Sequence, residues 1–346
     1  MTILGNQRVI AIEEHYLDPN VVSHLPGKGA NFDGPIRARL DDVGAARVES
    51  MDASGIDVQI LSHAPPGTQR MDAETGVRVA RQANDALHEI CQSYPGRFAG
   101  FAMLPTADVK ASADELERCV DRLGFKGALI HGLTGPERLF FDDPRFWPIY
   151  ERAQALDVPL YIHPALPHPA VMDAYYKDYT DDFPALATAG FGFTMETAAA
   201  GVRIVLSGVL DKYPDVKIIL GHLGEALPFL LWRIDMALNR PGNKGVAFRH
   251  LFTSNFYITT SGFFRSSPAL LHPGNRHRPY PVRNRLSLRR QRAWPEMDGK
   301  PDAERGRQGQ DIAPQCGTDT GRLSADNGRA SNIAPPMFGP RSSFPQ

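Results

Sequence analysis

Between Val9 and Thr259 the sequence alternates seven short β-rich runs with helical stretches, and few architectures accommodate that pattern. The runs are Val9–Ile12 (VIAI), Val58–Ser62 (VQILS), Phe98–Leu104 (FAGFAML), Gly127–Ile130 (GALI), Pro159–Ile162 (PLYI), Lys217–Leu220 (KIIL) and Phe256–Thr259 (FYIT). Between them, Ala73–Ser93 sets Val77, Val79, Ala80, Ala83, Ala86, Leu87 and Ile90 on one broad apolar face. Ser112–Leu123 repeats the pattern with Leu116, Val120 and Leu123. Pro144–Ala155 reads as a helix that Asp143 can cap, and Leu227–Leu238 as a further one. Strands alternating with helices imply a parallel sheet covered by helices. Seven strands over this length fit a (β/α)8 TIM barrel, an α/β fold, better than a Rossmann sheet. No GxGxxG, Walker A or GxSxG element stands at a strand–helix junction, so nucleotide-binding and serine-hydrolase functions lose their usual support.

An eighth strand is due near His272, and there the chain changes character. From Pro273 to Gln346 it carries 13 Lys+Arg against 7 Asp+Glu, ten prolines, and no apolar period of 2 or 3.6. Such a segment buries too little apolar surface to offset its ordering entropy. The expected division is therefore a barrel domain over residues 1–272 and an irregular, disordered basic tail over 273–346. The whole chain has a net charge of -1, which argues against a generally basic nucleic-acid or membrane-surface protein. Three dispersed cysteines (Cys91, Cys119, Cys316) exclude a disulfide framework and a Cys-rich zinc site. Neither a long apolar span nor a signal-peptide pattern is present, so a cytoplasmic protein without nucleic-acid or membrane partners is expected.

Barrel chemistry sits at the C-terminal ends of strands, and five of the seven runs end in histidine: His15, His63, His131, His163 and His222. If His15 points into the barrel mouth, regular alternation sends Glu13 the same way and Glu14 out toward a helix. Glu13 and His15 then offer a carboxylate oxygen and an imidazole nitrogen to one point, and His163 can supply a third ligand from across the barrel. Mixed carboxylate and imidazole donors suit one divalent ion, Zn or Mn. The bland alternative is a simple internal hydrogen bond between Glu13 and His15. His222 is followed by Glu225 one helical turn later, close enough to orient one ring nitrogen and leave the other free to exchange a proton. His63 and His131 are weaker candidates for lining the same pocket. His24, His168 and His250 read as surface residues, and Arg233 with Asp235 as a helix-surface ion pair.

The segments VIAIEEHYLDP, DVPLYIHPALP, GFGFTMETAAAGVRIVLSGVLDKYPDVKIILGHLGE, LPFLLWRID and NFYITTSGFFR resemble the amidohydrolase superfamily. The likeness is to its nonoxidative decarboxylase branch, the aminocarboxymuconate semialdehyde decarboxylase-like group, and within it to the dihydroxybenzoate (resorcylate) decarboxylases. It covers about Val9 to His272. It implies a metal-dependent-hydrolase-type barrel with one divalent ion on Glu13, His15, His163 and an Asp of the eighth strand. It implies further that His222 and Glu225 form the catalytic pair. Where such proteins carry the last residue of an ETxxH helix, this chain has Ala200, read as a packing change.

The eighth strand departs more. The resemblance calls for a run like RILFATDYPF after LLH, and none follows. Synonymous codons can be chosen for Pro273–Trp294 that, read one frame over, encode IREIGIDRILFATDYPFADNEH. A frameshift close to His272 is therefore expected, with the missing Asp codon overlapping those of Arg285 and Leu286. The function implied is a carboxy-lyase acting on a small hydroxylated aromatic carboxylic acid, inactive as written if the fourth ligand is absent, and a homo-oligomer once its barrel is complete. A metal-dependent amide or lactone hydrolase uses the same ligands and is the alternative; a non-catalytic remnant is the third.

Overall fold

In the computed structural model, which describes residues 8–25, 34–135 and 137–262, all seven expected strands form. They are β1 Ile10–Tyr16, β2 Val58–His63, β3 Phe98–Gly100, β4 Ala128–His131, β5 Pro159–His163, β6 Lys217–Leu220 and β7 Phe256–Ile258. All pairings are parallel, in the orders β1-β2-β3 and β4-β5-β6-β7, and the bridge Ala102↔Ala128 joins the two sets. Among the described residues β1 pairs only with β2 and β7 only with β6, so these residues by themselves do not close the barrel. The expected eighth strand, the division at residue 272 and the basic tail lie outside the described residues.

The helices of eight residues or more are α1 Gly34–Asp41, α2 Ala45–Ser54, α3 Ala73–Ser93, α4 Val109–Asp121, α5 Trp147–Ala155, α6 Gly192–Leu206, α7 Leu227–Leu238 and α8 Phe248–Asn255. Several start where the sequence supplies a cap. Asp72 accepts from the Thr75 amide at 2.9 Å and Asp108 from the Ala111 amide at 2.9 Å, each worth about 1 kcal/mol. Asp143 accepts from the Arg145 amide, but Pro144–Phe146 forms a 3-10 turn before α5 begins. The helix expected from Ser112 begins three residues earlier, where Asp108 caps it. Among the described residues no helix is long and apolar enough to cross a membrane.

Two apolar layers follow from strand alternation. Outward side chains such as Leu61, Ile130, Leu160, Ile162, Ile218, Leu220 and Phe256 pack under the helices. Ile12, Phe101, Leu129, Tyr161 and Ile219 point inward and fill the barrel as a plug. The chemistry-bearing side chains lie beyond that plug, at the strand ends.

Candidate metal centre

Strand β1 reaches the site by breaking its own alternation. Ile10 and Ile12 belong to the interior plug while Ala11 packs outward, so an unbroken strand would carry Glu14 inward and Glu13 outward. A bulge prevents this: Ile12 pairs with Ile60 and Glu14 with the next residue, Leu61, leaving Glu13 as the extra residue at φ 80°. A bulge of this kind re-aims a side chain at the cost of local strain. Glu13 and His15 therefore both face the interior, but by the bulge and not by the regular alternation expected. Glu14 faces out, where its carboxylate lies 3.7 Å from the Arg47 guanidinium of α2. Arg47 also donates to the His15 carbonyl at 2.9 Å and to Gln59 Oε1 at 2.7 Å, bracing the bulge from behind.

Glu13, His15 and His163 meet in front of the plug, and each offers a ligand atom within 4.8 Å of the others. His15 Nε2 lies 2.8 Å from His163 Nε2, and Glu13 Oε1 lies 3.5 Å from His163 Nε2. Glu13 and His15 are not hydrogen-bonded to each other; His15 Nδ1 faces Ser62 Oγ at 3.1 Å. The second oxygen of Glu13 accepts from the Tyr161 hydroxyl at 2.6 Å and from Ser261. Burial pushes His15 down to about 4 and holds His163 well below the usual imidazole range, so both rings are neutral near pH 7. Two neutral imidazoles and a carboxylate converging on one point match the donor chemistry of a divalent cation site.

His222 stands on the far side of Glu13. Its Nδ1 is 2.6 Å from Glu225 Oε1 and its Nε2 is 3.2 Å from Glu13 Oε1. Burial opposes its charge, but the hydrogen bond to Glu225 and the charges of Glu13 and Glu225 prevail and raise it to about 9. The turn that makes this pair is not the ordinary helical one expected. Residues 222–226 are all left-handed, with φ 46° at His222, 56° at Leu223, 73° at Gly224, 52° at Glu225 and 63° at Ala226. For a residue with a Cβ such backbone costs about 1–2 kcal/mol, and it is held by the Leu223 amide donating to the Thr259 carbonyl at 2.8 Å. Gly221 precedes it because a Cβ there would come within 2.8 Å of the Tyr161 hydroxyl and 3.2 Å of Glu13 Oε2.

His131 is buried behind His163, its Nδ1 3.1 Å from His163 Nδ1. His63 does not line the site: its ring packs on Tyr16, 5.6 Å between centroids, on the helix side of β2. His24, His168 and His250 are exposed, as expected. Arg233 and Asp235 do not pair; Asp235 accepts from the Arg249 amide at 3.0 Å in the first turn of α8. Ala200 is buried in the outer core. Sequence reasoning missed Ser62, Tyr161 and Ser261. Ser62 and Tyr161 carried a signal, since each shares strand parity with interior residues, Ile60 and His163 respectively.

Comparison with known proteins agrees with this architecture. The family model described as Amidohydrolase matches residues 23–293, and the chain belongs to that family. It is 42% identical over 268 residues to a gamma-resorcylate decarboxylase of Polaromonas sp., covering 74% of this chain and 81% of the relative. A crystal structure of 2,6-dihydroxybenzoate decarboxylase complexed with 2,6-dihydroxybenzoate is 38% identical, with TM-score 0.67 and coverage of 76% and 83%. A dihydroxybenzoic acid decarboxylase from Polaromonas sp. with bound manganese and the inhibitor 2-nitroresorcinol is 39% identical, with TM-score 0.68 and coverage of 76% and 81%.

Proposed function

We propose that this chain is a metal-dependent nonoxidative decarboxylase of a hydroxylated aromatic carboxylic acid. The observation that carries the reading is the convergence of two neutral imidazoles and a carboxylate in a chain this similar to resorcylate decarboxylases. The donor set fits one divalent ion: its two nitrogens are 2.8 Å apart, close to the roughly 3 Å expected of cis ligands each about 2.1 Å from an ion. Glu13, His15 and His163 would hold Zn or Mn, which supplies Lewis-acid attraction for the substrate carboxylate and its neighbouring phenolic oxygen.

The chain's own residues handle the proton. Glu225 anchors Nδ1 of His222 and keeps the ring charged, while Nε2 stays on the site side. From there His222 delivers a proton to the ring carbon that bears the carboxylate. The carbon–carbon bond then breaks, CO2 departs, and its electron pair restores the aromatic ring. The Tyr161 hydroxyl and Ser261 fix the Glu13 carboxylate while this happens. The protein is expected to be cytoplasmic and, once its barrel is complete, a homo-oligomer. Exposed Phe229, Trp232 and Met236 of α7 supply apolar surface for self-association.

The test incubates the frame-restored protein and manganese with 2,6-dihydroxybenzoate, and separately with aryl amides and lactones. Equimolar CO2 and resorcinol are expected from the acid. Hydrolysis of an amide or lactone without CO2 release would move the protein to the hydrolase reading.

A further inference from the structure

His131 has no role in the chemistry above, yet it occupies the space behind a metal-facing histidine and both of its ring nitrogens are engaged. Its Nε2 lies 2.9 Å from the His63 carbonyl. A carbonyl only accepts, so Nε2 carries the hydrogen. The ring is buried with no carboxylate bonded to it among the described residues, so it carries one hydrogen and Nδ1 is a bare lone pair. The atom facing that lone pair is His163 Nδ1, at 3.1 Å. One of the two must donate, and only His163 can; the Pro164 carbonyl, also against the His163 ring, likewise favours a hydrogen on that ring. Its hydrogen then sits on Nδ1, and its Nε2 presents a lone pair to Glu13 and to His15 Nε2.

We propose that the chain from the His63 carbonyl through His131 to His163 selects the tautomer and ring orientation of His163, and that His131 is thereby a positioning residue for the metal centre. Local structure supports the role. Gln69, itself buried, clamps the main chain of His131: its Nε2 donates to the His131 carbonyl at 3.2 Å and its Oε1 accepts from the His131 amide at 2.6 Å. The end of β4 is thus fixed by a side chain from a different loop, and the His131 ring with it. In the metal-free protein the lone pair on His163 Nε2 can accept from His15 Nε2, 2.8 Å away, and a bound cation would take the place of that hydrogen. A ring whose outer hydrogen bond already turns a lone pair toward the site is organised in advance for a positive ion. The inference rests on the metal reading above, and its test separates the two.

The full chain, His131→Phe, His131→Asn and Glu13→Gln are each titrated with Mn²⁺, following loss of the free-ion electron paramagnetic resonance signal. Long-range ¹H–¹⁵N spectra of the metal-free proteins report which nitrogen of each histidine is protonated. The full chain should show His163 protonated at Nδ1. His131→Phe, which removes the acceptor at nearly constant shape, should weaken Mn²⁺ binding roughly 10- to 100-fold and lose the fixed Nδ1–H tautomer. His131→Asn keeps an acceptor near the position of Nδ1 and should recover most of the affinity. His163 protonated at Nε2 in the full chain, or unchanged affinity and tautomer in His131→Phe, overturns the proposal. If the frame-restored chain, like Glu13→Gln, leaves the free Mn²⁺ signal intact, the metal reading fails instead, and the tautomer spectra still decide the role of His131.

Discussion

Replacing Gly221 with alanine tests the site at its tightest point. Gly221 has an ordinary φ of -70°, so the substitution adds a methyl group without backbone strain. That methyl carbon would lie 2.8 Å from the Tyr161 hydroxyl, where ordinary contact begins at 3.4 Å. The hydroxyl must therefore retreat by roughly 0.6 Å. Its ring is fully buried among Ile12, Phe101, Leu129 and Ile219 and has nowhere to swing. The retreat stretches the 2.6 Å bond from Tyr161 to Glu13, and a hydrogen bond to a charged acceptor is worth about 1.5–3 kcal/mol. A loss of about 2 kcal/mol lowers Tm by roughly 3–4 °C for a domain of this size. Calorimetry of Gly221→Ala in the wild-type and Tyr161→Phe backgrounds reads this directly. Because Tyr161→Phe removes the clashing oxygen, Gly221→Ala should cost at least about 1 kcal/mol less there. Equal costs in the two backgrounds would refute the reasoning.

Other outcomes follow from the same geometry. In metal-free protein the His222 contribution to stability is fully present below pH 6.5, the unfolded value, and is lost as pH rises through about 9; urea unfolding across this range should show the decline, and Glu225→Gln should flatten it. Toward acid the sign reverses: His15 is buried neutral, so stability falls as pH drops from 6.5 toward about 4, and His15→Phe should remove part of that fall. In the frame-restored protein His222→Ala should lower kcat roughly 10²–10⁴-fold with metal content unchanged; loss of metal together with activity would make His222 a ligand. The chain as written should bind manganese more weakly than the frame-restored chain and turn over little or not at all, which elemental analysis and a CO2 assay on the two proteins compare.

The fold was legible because its signals are local. β-branched runs mark the strands, apolar stripes and aspartate caps mark the helices, and histidines at successive strand ends point to the barrel mouth. What was not legible depends on tertiary structure. Alternation counted back from His15 and alternation counted forward from Ile10 disagree about Glu13, and only the bulge reconciles them. The left-handed turn at residues 222–226 left no trace beyond Gly221 and Gly224. Asp235 looked like a partner for Arg233, but the start of α8 folds back onto it. His63 and His131 looked equivalent as strand-end histidines. Register places one ring outside the barrel and the other behind His163.

The central claim, that Glu13, His15 and His163 hold one divalent ion at which a hydroxybenzoate loses CO2, is tested most directly by measuring turnover against metal occupancy. The frame-restored protein is stripped of metal and reloaded with Mn²⁺ in steps, and CO2 release from carboxyl-labelled 2,6-dihydroxybenzoate is recorded at each occupancy. Turnover should rise in proportion to bound manganese and level off at one ion per chain, with Glu13→Gln near background throughout. Full turnover in the stripped protein, or in Glu13→Gln, would contradict the claim.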